Sequence, residues 1–223
     1  MRLVKNVFSF VAVAAAILAI APLANAQNLT SAGLLKPTAD SWPTYHGDYT
    51  GRRHSSLTQI TKENVQNLGL AWAFQTNQGA AIKSSPLVVD GVMYFTVPDN
   101  VWAVDAHTGH QIWHYEYPPN KGLHIGQRGI GMYKGWLYFM TPDAHMVSLN
   151  AKDGTVRWNI VVADVNLGYW TSMAPLIVGN HVLAGVSGDF DNLRGYLKAI
   201  DPETGKTQWT WYATEPVGTP NKA

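Results

Sequence analysis

The chain has 223 residues, 16 basic and 15 acidic side chains, a formal net charge of +1, and only 14% charged residues. That near balance, with no basic cluster anywhere, argues against nucleic acid or an anionic membrane surface as a partner. Nine Trp, ten Tyr and no Cys exclude a disordered chain, disulfides, Cys–metal sites, Cys nucleophiles and a lipid-modified cysteine anchor.

Residues 1–26 read as a secretory signal peptide. Arg2 and Lys5 form the basic start, Val11 to Ile20 the apolar stretch, and Ala24-Asn25-Ala26 a small-x-small cleavage site before Gln27. A periplasmic location is therefore expected. Residues 27–75 are expected to form an N-terminal arm and a first strand. The arm is polar and turn-rich up to residue 56. Leu57 to Leu68 is expected to form one short helix with Thr61 as N-cap. Leu70-Ala-Trp72-Ala-Phe74 alternates like a strand.

From residue 76 to 223 the pattern is repetitive. Leu87-Val-Val, Gly91-Val-Met-Tyr-Phe-Thr and Val101-Trp-Ala-Val-Asp lead into Ala103-Val-Asp-Ala-His-Thr-Gly-His-Gln-Ile-Trp113. Corresponding strand runs lead into Ser148-Leu-Asn-Ala-Lys-Asp-Gly-Thr-Val-Arg-Trp158 and Ala199-Ile-Asp-Pro-Glu-Thr-Gly-Lys-Thr-Gln-Trp209. Asp-Gly, Lys-Gly and Gly-Asn pairs mark the same inner hairpin each time. The closing tryptophans stand 45 and 51 residues apart. A period of that size, built of strands, predicts an all-β propeller of four-stranded antiparallel blades, each Trp packing between neighbouring blades as core. Three blades cannot close a ring, so the chain is expected to be an open fragment with both end faces bare. His107, His110 and His114 span a hairpin turn and share no face, so they are not read as metal ligands.

Further stretches carry a resemblance: Trp42-Pro-Thr-Tyr-His-Gly-Asp, Ser84-Ser-Pro-Leu-Val-Val-Asp-Gly-Val-Met-Tyr, Gln127-Arg-Gly, Ser172-Met-Ala-Pro-Leu-Ile-Val, Gly185-Val-Ser-Gly and Leu193-Arg-Gly-Tyr-Leu. With the three Trp motifs, they make the chain similar to the N-terminal portion of the periplasmic PQQ-dependent alcohol dehydrogenases, the eight-bladed quinoproteins. The likeness runs over roughly residues 40–215 and amounts to about three of eight blades. It implies pyrroloquinoline quinone on the propeller axis beside a divalent or trivalent metal ion, with calcium the expectation. It also implies a hydroxyl-bearing small-molecule substrate, hydride transfer to the quinone, and a cytochrome c electron acceptor. The remaining blades would come from a continuing or partner chain.

Residue by residue, the resemblance places Arg128 on an arginine that hydrogen-bonds the quinone oxygens. Ser172 falls where the family usually has a threonine that bonds a cofactor carboxylate. Ser187 and Gly188 fall on a Ser-Gly pair that sets a hydroxyl and backbone N–H against the cofactor. Lys83 replaces a family glutamate and would pair with a cofactor carboxylate as a point charge. Phe190 falls on the family's metal-binding glutamate, and phenylalanine cannot ligate a hard cation. Asp189, or Asp191, would supply the carboxylate if the loop is remodelled. The family's adjacent cysteine pair is absent, with His124 in that stretch. No residue matches the catalytic aspartate, so the chain alone is expected to be inactive. The alternative is a non-catalytic propeller serving as a protein-binding scaffold in the periplasm.

Overall fold

A computed structural model describes residues 29–79, 81–122, 125–188 and 192–216. The expected signal peptide lies outside them, as do His124, Asp189, Phe190 and Asp191.

The repeats become three separate four-stranded antiparallel sheets. The first holds β1 Leu87–Val89, β2 Val92–Val97, β3 Asn100–Asp105 and β4 Gln111–Glu116 in that order. The second holds β5 Gly131–Tyr133, β6 Trp136–Met140, β7 His145–Asn150 and β8 Val156–Val161. The third holds β9 Leu176–Val178, β10 His181–Val186, β11 Tyr196–Ile200 and β12 Thr207–Tyr212. These are blades of a partial propeller, as the period implied.

The register explains the sequence repeat. Trp113 pairs with Ala103, Trp158 with Ser148 and Trp209 with Ala199, and each ladder shifts by one residue immediately beyond that pair. A small residue opposite each indole and a bulge beside it turn the ring out toward the next blade. The Asp or Asn of the turn then closes it: Asp105 Oδ1 accepts from the Thr108 N–H at 2.8 Å, and Asp201 Oδ1 from the Thr204 N–H at 2.8 Å.

The apolar cores lie between blades. One cluster joins Tyr94, Val101 and Trp113 of the first blade to Ile130, Leu137 and Val147 of the second. Another joins Tyr138 and Met146 of the second to Val182 and Ile200 of the third. Stability in such an array comes from neighbour contacts.

The inner strands β1, β5 and β9 are linked in series by the segments that precede them. Ser85 donates its N–H to the Arg128 carbonyl at 3.0 Å, and Arg128 donates its own to the Ser172 carbonyl at 2.9 Å. The N-terminal arm fastens to the same strands. Leu29 accepts from the Lys134 N–H, Trp42 exchanges both backbone bonds with Val88, and the Tyr49 hydroxyl donates to the Ile177 carbonyl. The arm's helix α1, Ser31–Leu35, buries Leu34 in the second cluster.

Two expectations about the arm need correction. Leu57–Leu68 is not a helix; it holds one 3-10 turn, Val65–Asn67, with Asn64 at its N-cap. Thr61 still accepts the Glu63 N–H with its hydroxyl, as a cap would. Leu57, Ile60, Val65 and Leu68 are all exposed, so no apolar face is buried and nothing sustains a longer helix. Residues 70–76 form no strand and join none of the three sheets. They lie instead on the outer face of the first blade, so that face is partly covered rather than bare. Trp72 donates its indole N–H to the Ala106 carbonyl at 3.2 Å, and Phe74 packs edge-on against Phe95 and Trp102.

Candidate functional site

Three residues singled out in the sequence meet in one place. Arg128 precedes β5, Ser172 precedes β9, and Ser187 follows β10. The linked inner strands bring the ends of these segments together. All three line an open, largely apolar hollow of about 410 Å³ on the uncovered face of the third blade. Its walls are Trp170, Met173, Val186, Leu197 and Trp211.

Among the described residues Arg128 is the sole charged side chain of this lining, and it is exposed. It donates a guanidinium N–H to the Ser172 hydroxyl. A guanidinium carries five donors, so this contact leaves most of its capacity open. One fixed cation, two hydroxyls and flat apolar walls suit a planar anionic ligand whose polar edge meets Arg128 and Ser172 and whose faces meet the walls.

Ser187 is placed by a two-way backbone bridge with Trp170, its N–H donating at 2.9 Å and its carbonyl accepting at 2.8 Å. Its N–H is thus committed to the protein. Gly188 is required by space: a Cβ there would fall 2.5 Å from the Leu193 Cβ and 3.1 Å from the Tyr169 ring. Gly188 itself does not line the hollow.

Lys83 stands apart. It matches Ser172 in register, each four residues ahead of its inner strand. Its side chain packs along Gly126, where a Cβ would come 3.0 Å from the Lys83 Cδ. It is thus beside the segment that carries Arg128 and outside the hollow. Arg53, which the sequence reading passed over, donates to the Ser85 hydroxyl at 3.0 Å and stacks on Tyr45.

Tyr196, also on the lining, is no candidate base. Burial, with Tyr169 and Tyr212 beside it, pushes its phenol up to about 12, and its hydroxyl donates to the Val162 carbonyl at 3.0 Å. Among the described residues no three His, Asp or Glu side chains converge to hold a metal ion. Asp189 would follow directly on Gly188 but lies outside those residues. The walls Trp170, Met173, Leu197 and Trp211 were not foreseen. For Trp211 the signal was present, since Trp209-Thr-Trp211 sets both indoles on one face of a strand.

Comparison with known proteins follows the same lines. Residues 42–223 match the family profile described as "PQQ: Glucose/ethanol/alcohol dehydrogenase, beta-propeller domain". The quinohemoprotein alcohol dehydrogenase of Comamonas testosteroni is 33% identical over 81% of this chain and 26% of its own length. Subunit 1 of the cytochrome c methanol dehydrogenase of Methylobacterium organophilum is 34% identical over 82% of this chain and 32% of its own. A solved structure titled "Europium-containing methanol dehydrogenase" superposes with a TM-score of 0.75 at 32% identity, over 82% of this chain and 33% of that one. The chain thus spans about a quarter to a third of the length of the proteins it matches.

Proposed function

The chain belongs to the PQQ-dependent glucose, ethanol and alcohol dehydrogenase family, within its β-propeller domain, and we propose that its three blades form one wall of a quinone site in a periplasmic dehydrogenase. The observation that supports this most directly is the Arg128–Ser172 pair opening onto an apolar hollow lined also by Ser187.

The residues present fit pyrroloquinoline quinone on one side. Arg128 would meet its quinone oxygens or a carboxylate, Ser172 and Ser187 would bond its polar edge, and Lys83 would add a positive charge nearby. Bound there, the quinone would supply the two-electron oxidising power for removal of a hydride equivalent from an alcohol or related hydroxyl compound. Arg128 favours negative charge on the ligand as it develops, because a fixed cation needs no reorganisation when the charge appears. The apolar walls would pack against one face of the ligand. Asp189 would offer a carboxylate to a metal ion, calcium being the proposed one. Electrons would leave to a cytochrome c, and the other blades would complete the ring. No residue matches the family's catalytic aspartate, so the chain alone is proposed not to oxidise ethanol with an artificial acceptor.

Trp170 and Trp211 line the hollow, so bound quinone would quench their fluorescence. Titrating the purified chain with pyrroloquinoline quinone should give saturable quenching that weakens in Arg128→Ala and Ser172→Ala. No quenching, or equal quenching in both variants, would overturn the proposal.

A further inference from the structure

Arg53 of the N-terminal arm has an unusual backbone. Its φ is +51°, a left-handed conformation that disfavours any residue with a Cβ by about 1–2 kcal/mol. Its side chain is tied at three points although it is exposed. Nε donates to His46 Nδ1 at 3.0 Å, and one Nη donates to the Ser85 hydroxyl at 3.0 Å and to the Tyr45 carbonyl at 3.4 Å. The guanidinium also lies 4.6 Å from the centre of the Tyr45 ring.

What Arg53 grips is the stretch that precedes β1. The ladder of the first blade begins at Leu87, opposite Tyr94, so Ser85 lies outside it. Ser85 bridges to Gly129 and donates its N–H to the Arg128 carbonyl at 3.0 Å. Arg128 is likewise outside its own ladder, which begins at Gly131. Its backbone bonds run to Ser85 on one side and to Ser172 on the other. The two segments touch closely, since a Cβ on Gly129 would fall 3.1 Å from the Ser85 carbonyl oxygen. Hydrogen bonds therefore run from Arg53 through Ser85 and Arg128 to Ser172 without a break.

We propose that Arg53 is a positioning residue for Arg128. By holding the Ser85 hydroxyl from the arm, it fixes the segment against which the Arg128 backbone rests. It thereby sets the angle at which the Arg128 guanidinium meets a planar anionic ligand. The proposal rests on the quinone reading for the ligand, and on geometry alone for the coupling of Arg53 to Arg128. Arg53 does not line the hollow, so its effect on binding passes through Arg128. Lysine cannot replace it, because the guanidinium bonds His46 and Ser85 from different nitrogens and an ammonium is a single point.

The test combines a quenching titration of the full chain with pyrroloquinoline quinone and amide hydrogen exchange of the same chain without it. Arg53→Ala should bind the quinone about fivefold more weakly than the parent. In an Arg128→Ala background the same substitution should cost nothing further. Without quinone, the Ser85 and Arg128 amides should exchange faster in Arg53→Ala, while those of β6 and β7 keep the parent's protection. Arg53→Gly removes the side chain at a φ that glycine adopts freely, so it should reproduce both effects, and it replaces the alanine variant should that one lose its β spectrum. Arg53→Lys should recover little. An equal loss in both backgrounds, parent-like binding by Arg53→Gly, or unchanged exchange at Ser85 and Arg128 would each overturn the proposal. No quinone binding by the parent would overturn the quinone reading instead, and exchange at Ser85 and Arg128 would then decide the coupling by itself.

Discussion

Trp113 of the first blade lies flat over Gly154 of the second, so close that a methyl group on Gly154 would sit 2.8 Å from the ring's Cε3. Gly154 has φ +75°, which a side chain also disfavours. One glycine thus serves both the turn and the interface between blades.

Gly154→Ala should therefore destabilise the chain by about 2 kcal/mol or more, from backbone strain and displacement of the indole together. Trp113→Ala, which empties a site only 8% exposed, should lose about 3–5 kcal/mol. Trp209→Ala should stay within about 1 kcal/mol of the parent in this chain, since that indole is 40% exposed and meets no docking turn among the described residues. Urea unfolding of the three variants checks the order; a Trp209→Ala loss equal to that of Trp113→Ala would refute it.

Ser172→Ala should weaken quinone binding more than it weakens the fold. The hydroxyl accepts from the exposed Arg128 side chain, so no buried group loses its partner. Arg128→Lys should recover only part of the affinity lost in Arg128→Ala, because an ammonium cannot present a planar pair of donors. Isothermal titration with the quinone, beside melting curves without it, separates binding from stability.

His114 stacks on Trp102 with ring centroids 4.5 Å apart and planes within 4°, and its Nε2 faces Asn100 Oδ1 at 2.8 Å. Burial lowers its pKa, with Glu116 opposing. The neutral ring is thus the folded form's preference. Its contribution is present above the ordinary histidine range, about pH 6.5, and is lost as pH falls through the lowered value. NMR should show a midpoint below the ordinary histidine value of about 6.5; a midpoint above it would contradict the burial argument.

Asp105 and Asp201 each accept backbone and side-chain bonds from the threonine of their turn, Thr108 and Thr204, and these hold both carboxyls below the usual carboxylate range. Their contribution is present above that range and is lost as pH falls through the lowered values. Asp105→Asn should thus lower the urea midpoint at pH 7, and the difference from the parent should shrink by pH 3. A gap that widens on acidification would show the sign to be wrong.

The blades were legible in the residues because each of their signals is local. Alternation in Gly91-Val-Met-Tyr-Phe-Thr, the Asp-Gly and Lys-Gly hairpins, and the Asp/Asn-x-x-Thr/Asp-Gly turn before each Trp act within a dozen positions, and every one became a strand or turn where it was read. Arg128, Ser172 and Ser187 were legible as candidates only through the resemblance that their motifs carry. Their meeting in one hollow needed the blades to be set side by side.

What the residues did not disclose is non-local. Leu70-Ala-Trp72-Ala-Phe74 has a strand's alternation, yet a ladder needs a partner, and the described chain holds none for it. Its indole found a glycine turn 37 positions away instead. Leu57–Leu68 had helix-forming residues but no surface to pack against. Lys83 and Ser172 share a register, and only the path of the side chains put one beside Gly126 and the other in the hollow. Pattern and turn chemistry settle which segments become blades, since those energies are paid between near neighbours; which faces meet depends on contacts between residues far apart in the chain, and these exist only once the blades have stacked.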